Sequence, residues 1–223
     1  MKKTSMLVAL AGLALTGSAA LGQVFSASAN LPILDESTTS STISVTSGPA
    51  SVQDLNVNVQ ITHTWDSDVD MVLQGPSGYV TLSTDNGDSD PNYFTTRFDD
   101  VALDSITSGF APFNGDFRPE TTFNGWNGTQ GIFFGNEYAS LSGFNGASAN
   151  GDWTLWVSDD TGGDTGTLLY WSLEFNFAAD PNNPNPPPSA PTSPGGNGTY
   201  SGNAVIPGNA LYFQVTAIPA TTP

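Results

Sequence analysis

Cysteine is absent from this 223-residue sequence, and basic residues are almost absent, with only four lysines and arginines. Without cysteine no disulfide can hold an exported fold, so an apolar core must do so, with bound metal as the other means available. The 21 acidic residues give a formal net charge of -17. Nucleic acid and anionic membranes are therefore excluded as partners, because both require basic patches.

Long hydrophobic runs are also missing, except at the N-terminus. Residues 1–22 combine Lys2 and Lys3, an apolar stretch of about ten residues and small residues at 18–20, which is typical of a secretory signal peptide. No later stretch has the length of a membrane-spanning helix. We therefore expect an exported protein, extracellular or periplasmic, that is soluble and monomeric.

Helical periodicity is nearly absent, and the remaining sequence divides into three parts. Residues 31–178 carry alternating apolar residues and Gly-rich turns, which predict one all-β domain. Residues 180–198 contain seven prolines and form a semi-rigid linker. Residues 199–223 are too few to fold alone. Either they dock on the main domain or they begin a module that the sequence does not complete, and we favour the second interpretation.

Alternation of apolar and polar residues locates the strands. Leu55 to Trp65 alternates throughout, with a polar outer face, and is followed by apolar runs at 69–73 and 79–83. We expect these three to be consecutive antiparallel strands. A second pair of runs, at 153–157 and 169–177, can form a hairpin that places Trp156 and Tyr170 together on its outer side. Trp65, Trp153 and Trp171 share the core parity, and the fold predicted is a jelly-roll β-sandwich.

Three segments in order carry a resemblance to a known family. They are ITHTWDSD at 61–68 with GPSG at 75–78; FDD at 98–100 with APFNGDFRPE at 111–120; and FNG at 144–146 with ANGDWTL at 149–155, GDTGTL at 163–168 and WSL at 171–173. Together they resemble the P domain, also called P/Homo B, of subtilisin-like proprotein convertases and bacterial secreted serine proteases. A Gly/Phe-rich insertion at about 121–140 departs from that pattern.

The resemblance implies a galactose-binding-like jelly roll that is not catalytic and that lies beside a protease, which it helps to fold and whose calcium dependence it tunes. The expected partner is a protease catalytic domain or another exported protein. A Ser-His-Asp triad needs an accessible histidine base, and the only histidine, His63, lies within the apolar parity of its strand. We expect His63 to be a buried, hydrogen-bonded core residue and the chain not to be an enzyme.

Twelve aspartates form four groups, which are candidate calcium ligands because calcium prefers carboxylate and carbonyl oxygens. The groups are Asp66, Asp68 and Asp70; Asp85, Asp88 and Asp90; Asp99, Asp100 and Asp104; and Asp159, Asp160 and Asp164. We predict one site from the first group, with Asp68 and Asp70 on one strand face, together with Asp99 or Asp100, and another from the last group. The alternative is that aspartates end strands and form turns, especially at 85–87 and 160–164.

Aromatic residues outside the core parity suggest a different class of function. Trp126 lies in the insertion, and Trp156 and Tyr170 are predicted to face outward. Exposed rings on a β-sandwich can stack on sugars, which makes a carbohydrate-binding module the alternative function. The other explanation of these rings is cross-strand packing beneath the insertion.

Overall fold

A computed structural model describes residues 22–89, 91–120, 126 and 133–176, and the backbone of 205–206 and 209–210. Within these ranges the chain forms strands and short 3₁₀ turns. The strands are β1 Gln23–Ala27, β2 Leu31–Ile33, β3 Thr38–Val45, β4 Leu55–His63, β5 Val69–Gly75, β6 Gly78–Ser83, β7 Tyr93–Phe98, β8 Asp104–Ser105, β9 Phe113–Arg118, β10 Asn136–Tyr138, β11 Gly151–Asp159, β12 Gly166–Phe175, β13 Val205–Ile206 and β14 Asn209–Ala210.

Two mixed sheets form the body of the fold. The first, called sheet A, has the order β1-β12-β4-β7-β9-β8, with β2 also paired to β12. The second, sheet B, has the order β10-β6-β5-β11-β3. The predicted all-β sandwich is confirmed. No helix in the described ranges is long and apolar enough to cross a membrane.

The core lies between the inward faces of the two sheets, and the alternation read from the sequence identifies much of it. Val57 and Val59 of β4, Leu155 and Val157 of β11, and Leu173 of β12 are all buried. Trp153 and Trp171 are fully buried, as predicted, and their ring nitrogens donate to the Ala149 carbonyl and the Ser41 hydroxyl. These contacts satisfy the one polar atom that each ring brings into the core.

The prediction of three consecutive antiparallel strands is only half correct. β5 and β6 pair as predicted, but β4 lies in sheet A, between β12 and β7. The strand also ends at His63, and a 3₁₀ turn at Asp66–Asp68 follows it. The chain therefore crosses from sheet A to sheet B between β4 and β5. Trp65, on this connection, is 40% exposed rather than buried in the core.

The predicted hairpin of β11 and β12 is wrong. β11 pairs with β3 and β5 in sheet B, whereas β12 pairs with β1, β2 and β4 in sheet A. The connection at 160–165 is an arch between the sheets. Both strands still turn their apolar residues toward the core, but they do so from opposite sides. Trp156 and Tyr170 consequently lie on different sheets, and they do not form the predicted cross-strand pair.

The polar face of β4 is not open to solvent. Asn56, Asn58 and Gln60 are all buried, although they point away from the apolar core. Asn58 donates to the Ser172 hydroxyl of β12, and Asn56 donates to the Asp54 carboxylate. β4 is a central strand, so side chains of the flanking strands surround its polar residues, and the period-two pattern alone does not reveal this.

The predicted terminal segments lie mostly outside the described residues. This applies to the signal peptide at 1–22 apart from its last residue, and to the proline-rich linker at 180–198. Within 199–223, the backbone of β13 pairs with that of β14. The assignments of these segments stay predictions.

Candidate functional site

Three aspartates from separate parts of the sequence meet at one end of the sandwich. Asp70 comes from the start of β5, Asp85 from the turn after β6, and Asp160 from the arch after β11. One carboxylate oxygen of each lies within 4.8 Å of one oxygen of the other two. Asp70 is buried, Asp160 is partly buried and Asp85 is exposed. We call these three residues the acidic cluster.

Local packing brings the three loops together. The amide of Ser67 donates to the Asp88 carbonyl at 3.3 Å, and the amide of Asp160 donates to the Asp68 carbonyl at 3.1 Å. Gly87 has a φ of +112°, and a Cβ there would come within 2.8 Å of the Asp66 Cβ. Both the positive φ and the close approach require glycine at this turn. The turn therefore lies directly against the connection that precedes Asp70.

Glu120 holds the turn that carries Asp85. Its carboxylate accepts hydrogen bonds from the Thr84 amide at 2.8 Å and from the Asn86 side chain at 3.0 Å. Asp85 itself has a φ of 53°, a conformation that aspartate tolerates better than most residues. Although Asp85 is exposed as a whole residue, partial burial of its carboxyl, together with the nearby Asp160 and Glu120, raises its pKa. The negative charges at this end thus oppose one another.

The chemistry of the acidic cluster suits a hard divalent cation. Calcium binds six to eight oxygens at about 2.3–2.6 Å, and short carboxylates, carbonyls and water supply them. The two arginines in the described ranges do not neutralise these carboxylates, because Arg97 pairs with Asp99 and Glu174, and Arg118 binds backbone carbonyls. The residues present therefore fit calcium, with Asp70, Asp85 and Asp160 as the carboxylate ligands.

Asp70 and Asp160 of the acidic cluster belong to the sites predicted from sequence, whereas Asp85 belongs to a candidate group that was not included in those sites. Asp85 was interpreted as a turn former, which it is, since it occupies the turn after β6. The grouping of aspartates at 85, 88 and 90 was the available signal. The predicted strand-face pair is wrong, because Asp68 lies in the 3₁₀ turn and only Asp70 lies in β5.

The other predicted aspartates of this end lie on the same connections, Asp66 and Asp68 just before β5 and Asp164 in the arch after β11. Asp66 accepts a hydrogen bond from the Asn92 amide at 2.7 Å, and Asp164 accepts one from the Thr64 hydroxyl at 2.6 Å. Burial, reinforced by Asp159, raises the pKa of Asp68 to about 6. Each of these side chains adds negative charge near the acidic cluster.

His63 is buried and hydrogen-bonded, as predicted. Its Nε2 lies 3.1 Å from the Asp159 carboxylate and its Nδ1 lies 2.7 Å from the Trp65 carbonyl oxygen. Both ring nitrogens are therefore occupied within the fold. Asp159, one of the predicted metal ligands, is instead the partner of this histidine and also accepts the Thr161 amide.

Asp99 and Asp100 do not join Asp66, Asp68 and Asp70, contrary to the prediction. β7 runs antiparallel to β4, so Asp99 lies at the end of the sheet where β4 begins. Asp99 pairs with Arg97 at 2.6 Å. The Asp100 carboxylate accepts the Leu141 and Ser142 amides at 3.0 and 2.7 Å. These aspartates organise loops at the opposite end of the sandwich.

Arg97 is the centre of a buried ion-pair group on sheet A. Its guanidinium lies 3.1 Å from the Glu174 carboxylate and 3.7 Å from that of Asp116, in addition to Asp99. Burial raises the pKa of Glu174 and of Asp116, while Arg97 acts in the opposite direction on both. One cation thus compensates several carboxylates that the sheet removes from water.

Replacing Asp54 with asparagine is expected to stabilise the protein at pH 7 and to change little at pH 4. Burial, with repulsion from Asp99, raises the pKa of Asp54 from 3.8 to about 6. A raised carboxyl pKa favours folding below the unfolded value, and this contribution is lost as the pH rises through about 6. At pH 7 the variant should gain about 1 kcal/mol after allowance for solvent screening. Urea unfolding at both pH values measures the effect, and equal gains at both would contradict the assignment.

The aromatic residues proposed for sugar binding do not share one surface. Trp126 and Trp156 both contact Phe133 edge-on, at centroid distances of 5.3 and 6.1 Å, and Phe133 stacks on Tyr79. Tyr170 lies on β12 of the other sheet. Trp126 and Trp156 therefore pack against Phe133 on the side of sheet B. They do not form a joint surface with Tyr170. Carbohydrate binding stays a prediction.

The fold is a cysteine-free β-sandwich, and the acidic cluster at one of its ends is a candidate cation site. Residues 122–175 match the family model described as proprotein convertase P-domain, which confirms the resemblance found in the sequence. The third of the three resembling segments lies wholly inside this range, and the first two precede it. No curated protein gives a significant match.

Two solved structures are also similar to this chain. One is the Aeromonas sobria serine protease in complex with the chaperone ORF2, with 21% identity and a TM-score of 0.40. The other is a structure of the serine protease of Aeromonas sobria, with 19% identity and a TM-score of 0.38. Each comparison covers 70% of this chain and 26% of that chain. This chain therefore spans about a quarter of the length of those proteases.

Proposed function

We propose that this chain is an exported, noncatalytic P-domain module that assists a subtilisin-like serine endopeptidase and is stabilised by calcium. The observation that carries the proposal is the family-model match at 122–175. This range includes β11 and β12, which supply Trp153 and Trp171 to the core. Export is supported by the signal-like residues 1–22.

The environment of His63 supports a role without catalysis. A general base must have a ring nitrogen within hydrogen-bond reach of the nucleophile that it activates. In this fold one ring nitrogen lies against Asp159 and the other against the Trp65 carbonyl. The pair of His63 and Asp159 thus resembles part of a triad in composition, but its geometry is that of a structural contact.

The acidic cluster supports the calcium part of the proposal. Three carboxylates, one on a strand and two on connections, repel one another unless a cation or protons compensate them. A bound calcium would supply two positive charges to this end of the fold and would join the loops through oxygen ligands. Asp70, Asp85 and Asp160 would hold it, and backbone carbonyls and water would complete its coordination.

The accessory role is tested by refolding a protease in the presence of this protein. The probe is the denatured catalytic domain of a subtilisin-like protease from the organism that encodes this chain. It is diluted into buffer that contains the full chain. We expect the recovered peptidase activity to rise several-fold over a control with an unrelated β-sandwich of similar charge. Equal recovery in both would refute the role, and peptidase activity of this chain alone would refute the noncatalytic assignment.

A further inference from the structure

Two aliphatic side chains extend into solvent at the end of the sandwich opposite the acidic cluster. Leu103 is 92% exposed and Val101 is 70% exposed. Both lie on the connection between β7 and β9, just before the short edge strand β8. We call this pair the aliphatic prong. Single exposed apolar residues are common, so the pair matters only if its backbone is fixed in this position.

Hydrogen bonds fix the backbone of the aliphatic prong. The Asp99 carboxylate accepts the Val101 amide at 2.9 Å, and the Asp99 carbonyl accepts the Ala102 amide at 3.1 Å. Arg118 donates from Nη1 to the Ala102 carbonyl and, at 2.6 Å, to the Leu103 carbonyl. The Asp99 carboxylate and the Arg118 guanidinium thus fix the backbone of Val101 and Leu103. Neither of these two side chains belongs to the buried core.

Neighbouring elements hold the same loop on its other sides. The Asp100 carboxylate accepts the amides of Leu141 and Ser142, which attaches the loop to the 3₁₀ turn at Leu141–Phe144. β8 then pairs with β9, with Asp104 opposite Phe117. A loop fixed before binding loses little conformational entropy when a partner covers it. The aliphatic prong is therefore preorganised for an interface.

Acidic residues border the aliphatic prong and define the charge of its partner. Asp104 is exposed beside Leu103, and Asp99 and Asp100 directly precede Val101 in the chain. Arg97 and Arg118, the only arginines of the chain, are already bound within the fold. A second copy of this chain, with a net charge of -17, would repel it. A partner with basic side chains is favoured.

We propose that the aliphatic prong anchors the interface with the protease catalytic domain, entering an apolar pocket whose rim carries lysine or arginine side chains. This inference rests on the proposed accessory function and adds the surface and the chemistry of the partner. Apolar side chains buried at the centre of an interface, with charged side chains at its rim, match the usual arrangement of protein interfaces.

The test measures binding of the full chain to the purified catalytic domain of a subtilisin-like protease from the organism that encodes this chain. The variant is Val101→Ser with Leu103→Ser. The matched control is Val24→Ser with Leu34→Ser, since these residues are 51% and 58% exposed and lie outside the β7–β9 connection. We expect the dissociation constant to rise about tenfold or more for the variant and less than about twofold for the control. Unchanged melting temperatures show that both variants fold.

Each outcome separates the two proposals. Wild-type binding that the prong variant leaves unchanged would overturn the aliphatic prong but not the accessory function. No binding by the wild type would overturn both. The charge argument predicts that Asp104→Lys weakens binding and that wild-type binding weakens as salt rises from about 0.05 to about 0.5 M; binding insensitive to both would refute a basic rim. A wild-type dimer that the variant loses would show that the prong serves self-association instead.

Discussion

Calcium at about one hundred times its dissociation constant is expected to raise the melting temperature of this protein by about 5–10 °C. A ligand that binds only the native state at this excess contributes about 2.7 kcal/mol, and each kcal/mol shifts the melting temperature by about 2–4 °C for a chain of this size. The binding energy comes from Asp70, Asp85 and Asp160, whose oxygens lie within 4.8 Å of one another. Thermal melts with calcium and with chelator measure the shift, and no shift would refute the metal site.

Variants of the acidic cluster should give opposite effects in the two buffers. Asp70→Asn and Asp85→Asn each remove one ligand, so the rise with calcium should largely disappear. In chelator, loss of one of three repelling carboxylates should leave the melting temperature unchanged or raise it. Asp85 is exposed, so this variant folds even if the buried Asp70 position does not accept asparagine. Asp152→Asn is the control, because Asp152 lies at the start of β11, away from the acidic cluster. An undiminished calcium shift in Asp85→Asn would exclude Asp85 as a ligand.

Replacing Arg97 with alanine is expected to cost about 3–5 kcal/mol of unfolding free energy, the usual loss when one partner of a buried ion pair is removed. Arg97 is the cation shared by Asp99, Asp116 and Glu174, and these carboxylates would stay desolvated without it. Arg118→Ala is the matched control, since its bonds to carbonyls are exposed and its loss should cost about 1 kcal/mol or less. Urea unfolding at pH 7 compares the two.

The pH dependence and a second substitution test the cause of that loss. Arg97 lowers the pKa of Glu174, whose burial raises it, so the variant should have a higher Glu174 pKa than the wild type. A raised carboxyl pKa favours folding at low pH, and the deficit of Arg97→Ala should therefore shrink as the pH falls below that pKa. Adding Glu174→Gln should restore part of the lost stability at pH 7. A deficit independent of pH and of Glu174→Gln would indicate lost packing alone.

The sequence predicts the layers of this fold better than their connections. Period-two alternation correctly places Val57, Leu155 and Leu173 in the core, because a side chain's face follows from its parity along the strand. The same parity cannot distinguish a hairpin from an arch. Strands in opposite sheets of a sandwich both direct apolar residues inward, and so β11 and β12 show the pattern of a hairpin although they pair with different neighbours.

The sequence predicted which kind of ligand the candidate site would bind, but only some of the residues that form the site. A concentration of aspartates indicated a cation site, and Asp70 and Asp160 belong to the acidic cluster. Asp85 was missed because the residues that suit a turn also suit calcium, and the turn explains its sequence context fully. Asp99 and Asp100 were wrongly included, since only the fold reveals that Arg97 and the amides at 141 and 142 already satisfy their carboxylates.

The crossing connections give the acidic cluster a mechanical consequence. Its three aspartates lie on or directly after the segments in which the chain passes from one sheet to the other: between β4 and β5, between β6 and β7, and between β11 and β12. An ion held there would join three crossing connections at the end of sheet B in a protein that has no disulfide. Unfolding that moves these connections apart would then require loss of the ion first, which would slow unfolding even where the equilibrium gain is modest. If this domain works beside a protease, as proposed, and cleavage is faster than reclosing, the rate of opening sets its lifetime.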